Sequence, residues 1–326
     1  MGEFELIARL ASYLDGEGDG VAVGHGDDAA VLAVGGNGVV VTVDALVEGV
    51  HFRRDLSSLA DVGWKAVAVN ASDIAAMGAQ PLAAVVALCR PAGLEQGGVE
   101  ELYGGMRQAC DRWNMRLVGG DTVASGELVL SVTALGRTHP GAAVRRSGAR
   151  PGDRVVVVGA LGAAAAALAQ VAAGDAPDPP LLAAHRRPVA LVDAGQALAR
   201  AGATALIDVS DGLGADLARI CTASGVGAVV RWAALPVAPG AVAAVEAAGA
   251  DVVGVIAGGG EDFALLATLP PAAAERAAAA AGAVEGVPAA VIGEVVDAPG
   301  ARLLLEDGTE CDLAPMGYDH YDSRRT

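Results

Sequence analysis

Apolar residues recur along this chain with two periods, and the switches between them outline its elements. Phe4, Ile7, Leu10, Ala11 and Leu14 fall at helical spacing, which predicts an amphipathic helix over 3–14. Short runs rich in β-branched residues, bounded by turn signals, predict strands at 29–34, 39–43, 83–88, 116–118 and 128–135. Two longer apolar segments, 59–77 and 94–113, read as interleaved helices, the second opened by Pro91 and Glu95. After residue 150 the pattern predicts strands at 155–159, 205–208, 228–232, 264–268, 289–296 and 303–306. Helices are expected at 162–173, 189–201, 211–224 and 272–281, with a Pro-rich loop at 176–180. The Ala-rich runs are strong helix formers, and packing helices are their ordinary reading.

Strands and helices mix in irregular order in both halves, without a strict βαβ repeat. The expected class is therefore α+β, a sandwich of sheets and helices in two domains. Residues 139–154 carry Pro140, Gly141, Arg145, Arg146, Gly148, Arg150, Pro151, Gly152 and Asp153, the composition of an interdomain crossing. That divides the chain into 1–138, 139–154 and 155–326.

With 326 residues, 53% of them hydrophobic, the chain has ample core for two domains. Its mean hydropathy of +0.45 comes from Ala and Val spread along the sequence. No stretch of the length a bilayer needs escapes interruption by Gly, Pro or charge, so no membrane partner is expected. The start Met1-Gly2-Glu3-Phe4-Glu5 is acidic, unlike a signal peptide, and a cytoplasmic location is expected. Cys89, Cys110, Cys221 and Cys311 are widely spaced, so neither a zinc knuckle nor a disulfide framework is indicated. A net charge of -17 argues against nucleic acid but not against a nucleotide bridged by metal. Lys65 is the sole lysine and no GxxxxGK[ST] occurs. If ATP is handled, metal ions, arginine and backbone N–H groups must neutralise its phosphates.

The candidate chemistry lies in acidic clusters beside apolar runs: Gly26-Asp27-Asp28, Val43-Asp44, Ser72-Asp73, Gly119-Gly120-Asp121, Asp208-Val209-Ser210-Asp211 and Gly259-Gly260-Glu261-Asp262. Carboxylates gathered at a few ångströms repel one another unless something positive holds them. Hard oxygen ligands select Mg²⁺ or Ca²⁺, and Mg²⁺ completes its shell with water and substrate phosphates. Each cluster alone has a bland reading: a turn at Asp27-Asp28, a helix N-cap at Asp44, a tight turn at Gly119-Gly120. His25 reads as a loop residue between glycines, and His51 equally as a structural histidine or as a group near phosphate. Asp44 is expected where a strand reaches the sheet edge, and Ser210 as the N-cap of the following helix. Asp73 is harder to dismiss, since a carboxylate among small apolar residues of a buried helix costs desolvation unless a cation pairs it. A two-metal nuclease, phosphatase or polymerase would also gather such acids.

The order of segments GHGDDAAV, TVDALVEGVHF, NASDIAAMGAQP, LVGGDTV, RRSGARPGD, IDVSDGL, GGGEDFALL and GYDHY resembles the thiamine-monophosphate kinase family over nearly the whole chain. That family sits in a superfamily with aminoimidazole ribonucleotide synthetase, selenophosphate synthetase and a hydrogenase-maturation protein. The resemblance implies an N-terminal ATP-binding domain whose sheet pairs with a second subunit, giving a homodimer, and a C-terminal α+β domain over the active site. It implies ATP as co-substrate and thiamine monophosphate as acceptor. It further implies several Mg²⁺ ions held by Asp27, Thr42, Asp44, Asp73, Asp121 and Asp208, with Asp211 at a further metal. Tyr103, Gly120, Asp121, Arg146 and Ser210 would lie along ATP, and His51, Glu261 and Tyr318 would meet the acceptor, Tyr318 with its aromatic face toward the cationic rings. Val43 stands where the family often has a hydroxyl residue, which ranks it below the other ligands, and His25 departs from an expected apolar residue or proline.

Direct in-line transfer is expected, with no covalent nucleophile and no obligatory base, because the attacking phosphate oxygen is already ionised. The competing readings are another ATP-dependent enzyme of the superfamily and a non-catalytic acidic metal-binding protein. No Cys precedes Cys89 and the chain ends Tyr321-Asp322-Ser323-Arg324-Arg325-Thr326, so the reactive cysteines expected of the selenophosphate and hydrogenase relatives are not matched.

Overall fold

The computed structural model describes residues 3–14, 17, 18, 20–138 and 143–318. Residues 139–142 of the expected crossing, and the GYDHY motif beyond Tyr318, lie outside them. The first half runs α1 (Glu3–Leu10), β1 (Val21–Val23), β2 (Ala30–Val34), β3 (Asn37–Val47), α2 (Leu59–Ala76), β4 (Gln80–Pro91), α3 (Gln96–Arg112), β5 (Arg116–Ser125) and β6 (Val129–Thr138). Its six strands form one sheet in the order β1-β2-β3-β6-β4-β5. The second half runs β7 (Arg154–Val158), α4 (Ala163–Ala173), α5 (Pro179–Arg186), α6 (Val192–Arg200), β8 (Ala205–Val209), α7 (Leu213–Ser224), β9 (Gly227–Arg231), α8 (Ala241–Ala247), α9 (Val252–Gly258), β10 (Ala264–Leu269), α10 (Pro271–Glu285), β11 (Ala289–Val296), β12 (Gly300–Leu304) and β13 (Glu310–Asp312). Its sheet has the order β13-β12-β9-β11-β7-β10-β8. The chain is a two-domain α+β fold, and among the described residues no helix is long and apolar enough to cross a membrane.

Period-2 alternation decides which way the first sheet faces. Along β3, Val40, Thr42 and Leu46 are buried on the side where α2 packs, while Val43 is exposed on the other. That outer face also presents Val85, Val118 and Val123, with Val118 62% exposed. In the second sheet β8 and β10 are buried throughout and β7 is buried from Val155 to Val158, although β8 lies at the sheet edge. Val156 and Val158 of β7 point into a core shared with α2, α6 and α10, whereas Val155 and Val157 point into a second core with α7. One core thus crosses from the first domain into the second, with α2 at its centre.

Helix α2 starts on a capping box, in which the Ser58 hydroxyl accepts from the Asp61 N–H and the Asp61 carboxylate accepts from the Ser58 N–H. It approaches its neighbours at glycines. A Cβ on Gly105 of α3 would stand 1.9 Å from the Ala60 carbonyl oxygen, and one on Gly195 of α6 would stand 2.1 Å from that of Ala75.

Several elements differ from the sequence pattern. β3 lies between β2 and β6, a central strand as expected, but it continues to Val47, so Asp44 sits within it and not where it leaves the sheet. β5 runs through Gly119-Gly120 to Ser125 with a register shift opposite Ala84/Val85, so the expected strand at 116–118 is longer and the bland reading of the glycines as a tight turn does not hold. A Cβ on Gly120 would meet the Val86 carbonyl oxygen at 1.9 Å, which gives that glycine a structural reason. The expected loop at 176–180 ends at Asp178, which caps α5, and Pro179-Pro180 occupy the first positions of that helix. The helices α8 and α9, and the short strands β1 and β13, were not expected.

Gly105→Ala should lower stability by about 2 kcal/mol, because the close α2–α3 approach must open. Gly104→Ala, with open space around it, should be neutral or mildly stabilising through helix propensity. Urea unfolding of the pair measures the difference, and equal effects would contradict the packing described.

Candidate active site

Four parts of the chain deliver carboxylates to one place. β3 puts Thr42 and Asp44 on its α2 side, two residues apart. On α2, Asn70 and Asp73 are three apart and share a face toward β3. The Asn70 side-chain oxygen accepts the Asp44 N–H at 3.2 Å, and the Thr42 hydroxyl donates to Asp73 Oδ2 at 2.5 Å. The turn before β2 adds Asp28, and β8 of the second domain adds Asp208, whose Oδ2 accepts the Ser72 hydroxyl at 2.6 Å across the domain boundary. Oxygens of Asp28, Asp73 and Asp208 all lie within 4.8 Å of one another.

Of the nearby cations only Arg146 pairs with this cluster, at Asp28, and one positive charge does not balance three acids. Arg146 donates to Asp28 Oδ1 at 2.6 Å, and its backbone N–H donates to Asp27 at 2.6 Å. Arg219 is paired with Asp211 and Asp216. The Asp216 carboxylate also accepts the N–H groups of Asp211 and Gly212, which fixes the turn before α7. Asp73 and Asp208 are met by the neutral hydroxyls of Thr42 and Ser72. Burial raises the Asp73 and Asp208 carboxyls well above the ordinary range, and the neighbouring acids add to it. Burial raises Asp44 to about 6, against a hydrogen bond with Asp73, and raises Asp216 to about 7, against Arg219. Asp28 is also raised by burial, with Arg146 pulling the other way.

The donor set fits a hard divalent cation. It offers carboxylate oxygens from separate strands and a helix, and Asp28 Oδ2 is buried with no hydrogen-bond partner. A buried acceptor of that kind demands an explanation, and an ion supplies one.

Beside the cluster lies a cavity of about 340 Å³. Of the residues expected at the site, Asp44, His51, Asp73, Asp208, Ser210, Asp211, Glu261 and Tyr318 line it. Thr42, Asp27 and Arg146 join through the hydrogen bonds above. Tyr103 packs on the first core from α3, and Gly120 and Asp121 are exposed on the edge strand β5; none of the three lines the cavity. Ser210 does not cap α7, whose N-cap is Gly212. Val43 faces the opposite side of the sheet, away from the acids.

Glu261 follows the glycine run in a left-handed conformation, φ 61°, unusual for a residue with a side chain. Its N–H is held by the Ser210 carbonyl at 2.7 Å, and a Cβ on Gly260 would come within 2.7 Å of that same oxygen. Three participants went unread in the sequence. Asp28 was seen only as half of a pair, although its unpartnered Oδ2 marks it as a ligand candidate. Lys65 was noted only for its rarity, and His185 sits on α5, whose Asp-Pro-Pro start could have revealed the helix.

Raised carboxyl groups bind protons on folding, so their contribution to stability is present at low pH and lost as pH rises through about 6 to 7. In chelator-treated protein the melting temperature should therefore climb as pH is lowered from about 8 to about 6. A flat or opposite trend by differential scanning fluorimetry would contradict the crowded-acid geometry.

Comparison with known proteins follows the same pattern. Residues 26–138 match the AIR synthase related protein, N-terminal domain, and residues 150–306 match the corresponding C-terminal domain. A thiamine-monophosphate kinase of Mycobacterium tuberculosis is 41% identical over 95% of this chain and 89% of its own length. The Escherichia coli K12 enzyme of that description is 36% identical over 98% of each. Among solved structures, AaThiL complexed with AMPPCP and TMP superposes with a TM-score of 0.84 at 32% identity, covering 98% of this chain and 97% of the other. The thiamine-monophosphate kinase of Stenotrophomonas maltophilia superposes with 0.76 at 35% identity, over 94% and 96%. The chain belongs to the thiamine-monophosphate kinase family.

Proposed function

We propose that this protein transfers the γ-phosphoryl group of ATP to thiamine monophosphate, giving thiamine diphosphate and ADP. The observation that carries the reading is the convergence of Asp28, Asp73 and Asp208 beside a cavity that holds Glu261 and Tyr318. The relatives named above are thiamine-monophosphate kinases, and the solved AaThiL carries AMPPCP and TMP.

In this proposal Asp28, Asp73 and Asp208, with Asp27, Thr42, Asp44 and Asp211 around them, hold Mg²⁺. Bound there, Mg²⁺ neutralises phosphate oxygens, the task a lysine performs in other kinases. Arg146 and Ser210 act on the ATP phosphates. Glu261 offers a carboxylate, His51 a ring nitrogen and Tyr318 an aromatic face to the acceptor, whose thiazolium is cationic. Transfer is direct and in line: the attacking phosphate oxygen is anionic at neutral pH, so the chain need not take a proton from it.

The cavity volume stands at the lower end of the range of about 300–1,000 Å³ for ligand pockets. That is room for the acceptor and not for a whole nucleotide besides, so ATP would extend beyond it. The proposed roles of Tyr103, Gly120 and Asp121, outside the cavity of one chain, rest on motif likeness. The exposed apolar face bearing Val43, Val85, Val118 and Val123 supports a homodimer formed through the first sheet. The division at 1–138, 139–154 and 155–326 is part of the same proposal.

Turnover of ATP should require thiamine monophosphate and not proceed with an aminoimidazole precursor or selenide, and should stop with EDTA and return with Mg²⁺. Preference for another acceptor would overturn the assignment. Asp73→Asn and Asp208→Asn should each lower kcat by about 100-fold or more while leaving the circular dichroism spectrum unchanged. Full activity in both variants would overturn the metal-holding role.

A further inference from the structure

The single lysine of the chain lies in the cavity, and it is not placed as a phosphate-binding lysine would be. The Lys65 side chain is 2% exposed and donates to Glu261 Oε1 at 2.6 Å and to the main-chain oxygen of His51 at 2.9 Å. His185 Nδ1 lies 2.5 Å from Glu261 Oε2 and 3.5 Å from Lys65 Nζ. Facing an ionised carboxylate on one side and an ammonium on the other, that Nδ1 carries the hydrogen and donates to Glu261. Both oxygens of Glu261 are therefore held by donors from different elements, α2 and α5. The left-handed backbone at Glu261 is held from beneath by the Ser210 carbonyl. The same lysine fixes the His51 loop. There the His51 Nδ1 accepts the Val47 N–H at 3.1 Å, which leaves its hydrogen on Nε2.

We infer that Lys65 and His185 are positioning residues that hold the Glu261 carboxylate, and through Lys65 the His51 loop, in the arrangement that recognises a cationic heteroaromatic acceptor. The inference rests on the acceptor proposed above. Three segments from two domains converge on one ammonium, so its loss loosens both acceptor-binding side chains together while leaving the acidic cluster intact. Burial by itself would raise the Glu261 carboxyl; the Lys65 charge and the His185 hydrogen bond bring it down to about 2. The charged and titratable groups around the cavity beside it are Lys65, His185, His51, Arg53, Tyr318 and the acids Asp44, Asp73, Asp208 and Asp211, and Asp262 follows it in the chain. Lys65 and His185 are the two that touch Glu261 directly. A carboxylate held charged across the whole working pH range meets a permanent cation equally well at every pH. A carboxylate stripped of its lysine does not.

The test is steady-state kinetics of wild type, Lys65→Met and His185→Asn with Mg-ATP and thiamine monophosphate, from about pH 6 to about pH 8.5. Wild type should show only the shallow acidic limb set by the acceptor's own phosphate, whose second ionisation lies at about pH 6. Lys65→Met should raise the acceptor KM about tenfold or more, with the KM for ATP within about twofold. Its acceptor KM should worsen further as pH falls, because burial now lifts Glu261 into the assayed range. His185→Asn should show the same limb with a smaller rise. An acceptor KM equal to wild type, a pH profile parallel to that of wild type, or equal rises in both KM values would overturn the inference. Should Lys65→Met not fold, the limb in His185→Asn decides. A wild type inactive on thiamine monophosphate would fail the proposed function, whereas an active wild type beside an unaltered Lys65→Met would fail this inference alone.

Discussion

Buried negative charge without matching positive charge is the constraint around which this molecule is arranged. Asp28, Asp73 and Asp208 come from a turn, a helix and a strand of the other domain, and they would separate if the fold let them. It does not, because α2 is locked on every side. Gly105 and Gly195 let its neighbours come to backbone contact, the first sheet covers one flank, and a core continuous with the second domain covers another. The packing supplies the stability that the acids subtract, a local cost of the kind expected where chemistry is done.

Of the positive side chains in this region only Arg146 reaches the acid cluster, and there it meets Asp28 alone. Arg146 serves Asp28 and Asp27, Arg219 serves Asp211 and Asp216, and Lys65 serves Glu261. The cavity consequently has two chemically distinct parts. One is an acid cluster that calls for a divalent cation. The other is a charge-balanced pair with an aromatic neighbour, suited to an organic cation. Under the proposed function, a metal-bridged phosphate at the first and a thiazolium at the second would be the two ends of one acceptor molecule.

Much of this was legible from residues alone, and the exceptions have physical causes. The period-2 runs located most longer strands, and the 59–77 apolar segment located α2 within a residue of its observed end. Asp73 stood out because a carboxylate in such a helix needs a reason. The interior of β3 was missed, since Asp44-Ala45-Leu46-Val47 looks like an exit from the sheet when its partner β6 is unknown. The glycines of β5 read either as a turn or as a place of close backbone approach, because a sequence does not display the Val86 carbonyl that excludes a Cβ at Gly120. Pro179-Pro180 read as a loop because the Asp178 cap before them was overlooked, and with α5 went His185. Which member of Asp27-Asp28 joins the cluster depends on the turn geometry, and Lys65's partner is 196 residues away in sequence. Contacts of that kind are tertiary facts without a local signature.

Calorimetric titration of Mg²⁺ into the metal-free protein with a non-hydrolysable ATP analogue, in two buffers of different ionisation enthalpy, addresses the central claim most directly. Carboxyl groups crowded and raised by burial must surrender protons when a cation enters, so the account predicts net proton release near pH 6 that shrinks toward pH 8. Binding with no proton release at either pH, or no Mg²⁺ binding at all, would contradict it.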